Sequence, residues 1–125
     1  MEHISFVGRQ IYLSGDHNEQ GIQNLTELLR HFNYDRCWFV VGVGRGKPLD
    51  QMLRHYFAAT RSSVVLTLKD LAAWEARAAA LVADPLEALK LAVSKAGPDD
   101  LIVVSGSRYL IGDLRAKILS VNKEL

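Results

Sequence analysis

CWFVVGV, residues 37–43, is a continuous apolar run with no alternation. A strand with one wet face alternates apolar and polar residues; a run that does not suits a strand buried on both faces, as in a parallel sheet. SSVVLT (62–67) and LIVVSGS (101–107) read the same way. Segments with helical spacing separate these runs. Ile22, Leu25, Leu28, Leu29 and Phe32 fall on one helical face before the first. Leu49, Met52, Leu53 and Tyr56 do so after it, and Pro48 suits a first helical turn. KDLAAWEARAAALV (69–82) is alanine-rich and reads as helix. DPLE (84–87) is a helix start, with Asp84 as cap, Pro85 first and Glu87 third; Leu86, Leu89 and Val93 then face the core. AGP (96–98) stops that helix, and RYLIGDLRAKIL (108–119) reads as a closing helix weakened by Gly112. At the start, HISFVGRQIYLS (3–14) has two short apolar runs flanking Gly8-Arg9, which predicts a tight hairpin.

Alternating strands and helices predict an α/β fold over a single domain, residues 1–125: a Rossmann-like, mostly parallel, doubly wound sheet with one antiparallel edge strand and helices on both faces. The bulk composition agrees. Of 125 residues, 49% are hydrophobic and 23% charged, enough to bury a core without disulfides or metal. A net charge of +1 provides no strong field toward nucleic acid or an anionic membrane. No apolar run is long enough to span a bilayer, and MEHISFVGRQ has no secretory pattern, so a cytoplasmic protein is expected. The lone Cys37 reads as a small buried hydrophobe.

Most of the predicted strands end in Gly, Ser or Thr, which aligns small residues along one sheet edge, where open α/β sheets bind ligands. YLSGDHNEQG (12–21) turns from strand to helix at that edge; Asp16 or Asn18 can cap the helix, and Asp16 with Glu19 has the form of a capping box. His17 lies in the same turn, beside Ser14, Asp16 and Asn18. GVGRGK (42–47) is glycine-rich and carries Arg45 and Lys47 at the ligand edge, but it fits neither phosphate fingerprint: Lys47 stands where a dinucleotide loop needs glycine, and Val41 and Pro48 break a Walker loop. His3, His31 and His55 have no zinc spacing, the last two lying on predicted helices. Ser107, in SGS, reads as a hydrogen-bonding residue or helix cap, because Ser105 and Tyr109 break a nucleophile elbow. Asp99 and Asp100 read as loop carboxylates, Trp38 and Trp74 as core.

These segments together resemble a known family. YLSGDHNEQGIQNLTELL is similar to the L-D-G-A-H-N-P stretch and following helix of folylpolyglutamate synthases. FVVGVGRGKPLDQML resembles their G-V-x-x-D-K-D-x-x-x-M-L. DPLEALKLAVSKAGPDDLIVVSGSRYLIGDLR resembles their D-P-x-E-A-L ending with G-S-x-Y-L-[IV]-G-x-[VL]-R, the most specific block. Order and spacing hold over nearly the whole chain. The resemblance is to the C-terminal domain of folylpolyglutamate synthase, often bifunctional with dihydrofolate synthase, in the Mur ligase superfamily.

The resemblance implies an ATP-dependent ligase. ATP phosphorylates a carboxylate of folate or dihydropteroate, and the amino group of L-glutamate attacks the acyl phosphate to give an amide. The P-loop, the Mg2+ ligands and most folate contacts belong to an N-terminal ATPase domain, which these residues lack. The C-terminal domain would close over nucleotide and glutamate, hold no catalytic residue of its own and ligate nothing alone. A monomer is expected, with no nucleic acid or membrane partner. Residue by residue, His17 and Asn18 match the family's H-N, near nucleotide and glutamate, and Gly15 matches its glycine. Ser14 stands where the family has an aspartate that contacts the nucleotide, Asp16 where it has alanine, and Glu19 where it has proline. Lys47 matches the lysine of D-K-D, with Gly46 and Pro48 in place of both aspartates. Ser107 matches the serine implicated in glutamate binding. An arginine that reaches the phosphates would precede Glu2, where Met1 begins the chain. The implied nucleotide set is thus Ser14, Asp16, His17, Asn18 and Lys47, and the glutamate set His17 and Ser107. The altered polar positions keep two other readings in play: a Mur-like domain with a degraded ligand site and a structural or regulatory role, and the C-terminal domain of another Mur-type amino-acid ligase.

Overall fold

The computed structural model describes residues 1–16, 18–42, 49–67 and 78–124. Among these residues six strands form one sheet in the order β1-β2-β6-β3-β4-β5. β1 (Glu2–Phe6) and β2 (Arg9–Leu13) form the antiparallel hairpin; β3 (Cys37–Val41), β4 (Ser62–Leu66), β5 (Ala80–Leu81) and β6 (Leu101–Ser105) join β2 in parallel. The hairpin turn is Val7-Gly8, one residue earlier than its predicted centre. Both residues take positive φ (46° and 77°), and Phe6 then faces Arg9 in register. A two-residue turn of this hand matches strand twist, and Gly8 adopts it without strain.

All five residues of β3 are buried, as the unbroken apolar run predicts. Their side chains split between two cores. Trp38 and Val40 pack with Val104, Ala88, Leu89, Leu114 and Ile118 beneath α3 (Pro85–Lys95) and α4 (Arg108–Glu124). Cys37, Phe39 and Val41 pack with Ile22, Leu25, Met52 and Tyr56 beneath α1 (Glu19–Leu29) and α2 (Leu49–Ala58). The sheet is therefore covered on both faces, with β1 as its antiparallel edge. Burial pushes the Cys37 thiol, the small hydrophobe of this run, up to about 12, with the Asp100 charge adding to the shift.

Several local expectations are corrected. Ala80–Leu81, read as the end of an alanine-rich helix, is an edge strand: Ala79 N–H donates to Val64 O at 2.8 Å and Val82 N–H to Leu66 O at 2.8 Å. Two ladder bonds to an existing strand outweigh alanine's helical preference; residues 69–77 of that segment lie outside the described residues. Leu28, within α1, is exposed; His31 lies in the turn beyond it, because the helix closes at Arg30. Ala88 and Ala92 are fully buried on α3, while Leu86 and Val93 pack at its margin, since small residues bring this helix close to the sheet. α4 runs on to Glu124, anchored to β1 by Arg115 on Glu2 (3.0 Å) and Asn122 on Ser5 O (3.0 Å).

Asp100 is more than a loop carboxylate. It accepts from Arg36 N–H (3.0 Å), Gly97 N–H (2.8 Å) and the Trp38 indole (3.1 Å). Arg9 reaches over from the hairpin to Asp100 O (3.0 Å) and Gly97 O (2.8 Å). Partial burial would raise the carboxyl, but these N–H donors and the Arg9 charge outweigh it and hold Asp100 below the ordinary carboxylate range. A lowered folded value stabilises the protein above the unfolded value of about 4 and loses that contribution as pH falls through the folded value. Asp100→Asn should therefore cost about 1–3 kcal/mol in urea unfolding at neutral pH. The gap to wild type should shrink as pH is taken below about 4. A gap that stays constant into acid would show that the charge contributes nothing.

Candidate functional site

Parallel strands bring their carboxyl ends to one edge. Ser14 follows β2 there, Gly42 follows β3, Thr67 follows β4, and Gly106-Ser107 follows β6. β2 and β6 are neighbours, yet α1 and α4, which leave them, cover opposite faces. Such a divergence opens a crevice at the strand ends.

The crevice walls are tied together. Ser14 N–H donates to Val104 O at 2.9 Å, extending the β2–β6 ladder by one residue. The Ser14 hydroxyl, almost fully buried, donates to the Asp16 carboxylate. Gly106 N–H donates to Asp16 O at 3.2 Å, joining the β2–α1 turn to the β6–α4 turn. Asn18, not Asp16, caps α1, its Oδ1 accepting from Gly21 N–H at 2.8 Å. The capping box is thus not formed. Asp16 is held by Ser14, and Glu19 instead meets Arg54 (3.1 Å) and His55 (3.3 Å) on α2. The hydrogen bonds from His55 and Arg54 lower the Glu19 carboxyl from its ordinary value.

Ser107 behaves as the predicted cap. It is buried, and its Oγ accepts from Leu110 N–H at 3.4 Å in the first turn of α4. Ser14 and Asp16 thus line one cavity, while Ser107 and Asn18, which cap α4 and α1, are not in its lining. His17 and Lys47 lie outside the described residues, as does most of GVGRGK; only Gly42 of that segment is described.

Three features escaped the sequence reading. Arg108 joins Met1, Ser14, Asp16, Asn24 and Leu28 around a cavity of about 410 Å³, which sets a cation and a carboxylate in one lining. Its place directly after Ser107 was the available signal. Gly106 has φ of 110°, and an added Cβ would lie 2.6 Å from Gly42 O. Tyr56, read only as core, sends its hydroxyl to Ser105 Oγ at 2.7 Å. Burial raises that phenol, and the nearby Asp16 charge raises it further. A second groove of about 220 Å³, lined by residues such as Glu27, Tyr34 and His55, lies against α1 and α2 and includes none of the strand-end residues above.

Residues 1–108 match the family model for the Mur ligase, glutamate ligase domain. The dihydrofolate synthase/folylpolyglutamate synthase of Bacillus subtilis (strain 168) is 29% identical over 120 residues, covering 86% of this chain and 27% of that protein. The chain therefore spans about a quarter of that relative's length. Among solved structures, E. coli FolC in complex with ADP superimposes with a TM-score of 0.81 at 15% identity, over 95% of this chain and 31% of that one. Mycobacterium tuberculosis folylpolyglutamate synthase complexed with ADP and AMPPCP gives 0.79 at 23% identity, over 94% and 31%. These two structures agree with this chain in fold.

Gly106 provides the sharpest local test. Gly106→Ala combines a left-handed backbone with a clash against main chain, which cannot swing aside as a side chain can. The expected loss is about 1–3 kcal/mol, read as a lower melting temperature. An unchanged melting temperature would mean that the β6–α4 turn is free to rearrange.

Proposed function

Because this chain belongs to the family of Mur ligase glutamate ligase domains, we propose that it is the C-terminal domain of an ATP-dependent folylpolyglutamate synthase or dihydrofolate synthase. In this reading the complete protein joins L-glutamate to folate or dihydropteroate, and residues 1–125 form one domain that closes over nucleotide and glutamate. The observation that supports it is the Gly106–Asp16 bond at 3.2 Å, which ties the β2–α1 turn that carries Ser14 and Asp16 to the β6–α4 turn that carries Ser107. The curated relative favours folate over a cell-wall precursor as the acceptor.

The residues fit the edge of a nucleotide. A carboxylate offers two acceptor oxygens, one to each of two vicinal ribose hydroxyls, where serine offers a single oxygen. Asp16 supplies that carboxylate, and Ser14 occupies one side of it and fixes its direction. Lys47 is assigned to the phosphates, His17 and Asn18 to the space between nucleotide and amino acid, and His17 with Ser107 to glutamate. ATP, when bound, supplies the phosphoryl group that activates the acceptor carboxyl. This domain's task is to hold the nucleotide and present the amino group of glutamate in a dry crevice. Among the described residues no three His, Cys, Asp or Glu side chains gather as a metal site. The reading assigns Mg2+, as the resemblance implies, to an N-terminal ATPase domain of the same protein and routes no step through it here. No described helix is long and apolar enough to cross a membrane; a monomeric cytoplasmic enzyme completes the proposal.

The test is ATP-dependent attachment of labelled glutamate to dihydropteroate and to tetrahydrofolate by the complete reading frame that carries this chain. Incorporation into at least one acceptor is expected, and none from the 125-residue chain alone. Asp16→Asn should raise the KM for ATP by about tenfold, the worth of one charge-assisted hydrogen bond. Ser14→Asp places the family's carboxylate back in its usual position. If wild type is inactive and Ser14→Asp restores incorporation, the opening turn is the defect. If neither incorporates glutamate, the ligase reading is wrong and a non-catalytic domain replaces it.

A further inference from the structure

The hydroxyl of Tyr56 has no part in the reaction as proposed, yet it is the best-placed polar group beneath the crevice. Tyr56 is fully buried on α2, with its ring edge-on to Phe39 at 5.1 Å between centroids. Its hydroxyl passes the sheet core and meets Ser105 Oγ at 2.7 Å, also fully buried. Ser105 is the last residue of β6. Its carbonyl accepts from Gly42 N–H at 3.3 Å, and Gly106, the next residue, is the one bonded to Asp16. Ser107 then caps α4. A single hydroxyl contact therefore links α2 to the point where three strand ends meet.

Packing alone does not require that hydroxyl. Phenylalanine would fill the same volume against Phe39, and a fully apolar pair at positions 56 and 105 would avoid placing two polar groups in the core. Two buried hydroxyls bonded to each other add direction rather than hydrophobic burial. They fix where the end of β6 stands relative to α2.

We propose that Tyr56 is a positioning residue: through Ser105 it sets the Gly106–Ser107 turn, and with it the placement of Asp16 and Ser107 toward the ligands. It touches no ligand itself. The kinetic part rests on the ligase reading; the structural part does not.

The experiment uses the complete reading frame, with Tyr56→Phe, Ser105→Ala and the double variant. Hydrogen exchange is followed on peptides covering 102–111 and, as a control at the opposite ends of these adjacent strands, 35–38. Each single variant should speed exchange of the slow amides in 102–111 by roughly three- to tenfold, the worth of one hydrogen bond, and leave 35–38 unchanged. The double variant should add nothing, since both changes remove the same contact. In the glutamate assay the KM for ATP or glutamate should rise by a similar factor, with kcat held within about twofold. Exchange that is unchanged at 102–111, or raised equally at 35–38, overturns the proposal, because the pair is then inert or acts only through global stability. Local exchange with unaltered KM also overturns it. A wild type without ligase activity whose 102–111 amides respond as described removes the ligase reading and supports Tyr56 as the residue that sets this turn.

Discussion

The structure depends on one insertion. β6 is the last strand in the chain, yet it stands between β2 and β3 and pairs in parallel with both. Until it enters, the hairpin has no partner in the rest of the sheet. Its residues serve both sides: Ile102 and Val104 pack beneath α3 and α4, Val103 beneath α1 and α2. Such long-range pairing is entropically costly to reach. An unbroken apolar run is what makes the middle position favourable once reached.

Each end of β6 is held by a different kind of interaction. At its start Asp100 gathers N–H donors from the Arg36 and Gly97 backbone and from Trp38, a charged acceptor among dipoles. At its end Ser105 meets Tyr56, a neutral pair in a dry core. The division follows the solvent. The Asp100 end is wet enough to keep a carboxylate ionised, whereas the Ser105 end lies under the crevice, where an unpaired charge would be expensive. Gly106 completes the second end by letting main chain approach main chain.

What the sequence revealed and what it hid divide along the same line. CWFVVGV and LIVVSGS announced buried parallel strands because their pattern is local, and DPLE announced a capped helix because Asp84 and Glu87 are neighbours; Asp84 accepts from Glu87 N–H at 3.0 Å. The crevice itself was legible as a row of small residues at strand ends. Contacts that depend on which strand lies beside which were not. Ala80–Leu81 carries no strand pattern and is a strand only because β4 is beside it. Asp100 with Arg9 spans the chain from the hairpin to the last strand, and Tyr56 with Ser105 joins residues that no periodicity relates. Asp16 over Asn18 as a cap was undecidable from spacing, since either fits; the competing partner, Ser14, decides it.

The same contact bears on the departures from the family pattern. The resemblance sets an aspartate at Ser14 and a small residue at Asp16; here the serine and the acid stand in the opposite order. In extended backbone, residues two apart point to the same side. The Ser14 hydroxyl reaches the Asp16 carboxylate, so the two side chains do share that side. A carboxylate thus lines the crevice at Asp16, and Ser14 carries a donor aimed at it. Gly106, bonded to the Asp16 carbonyl, holds that residue from the opposite wall. On the proposed reading, the two departures taken as a pair keep a negative charge at this turn, with Gly15 and Gly106 beside it.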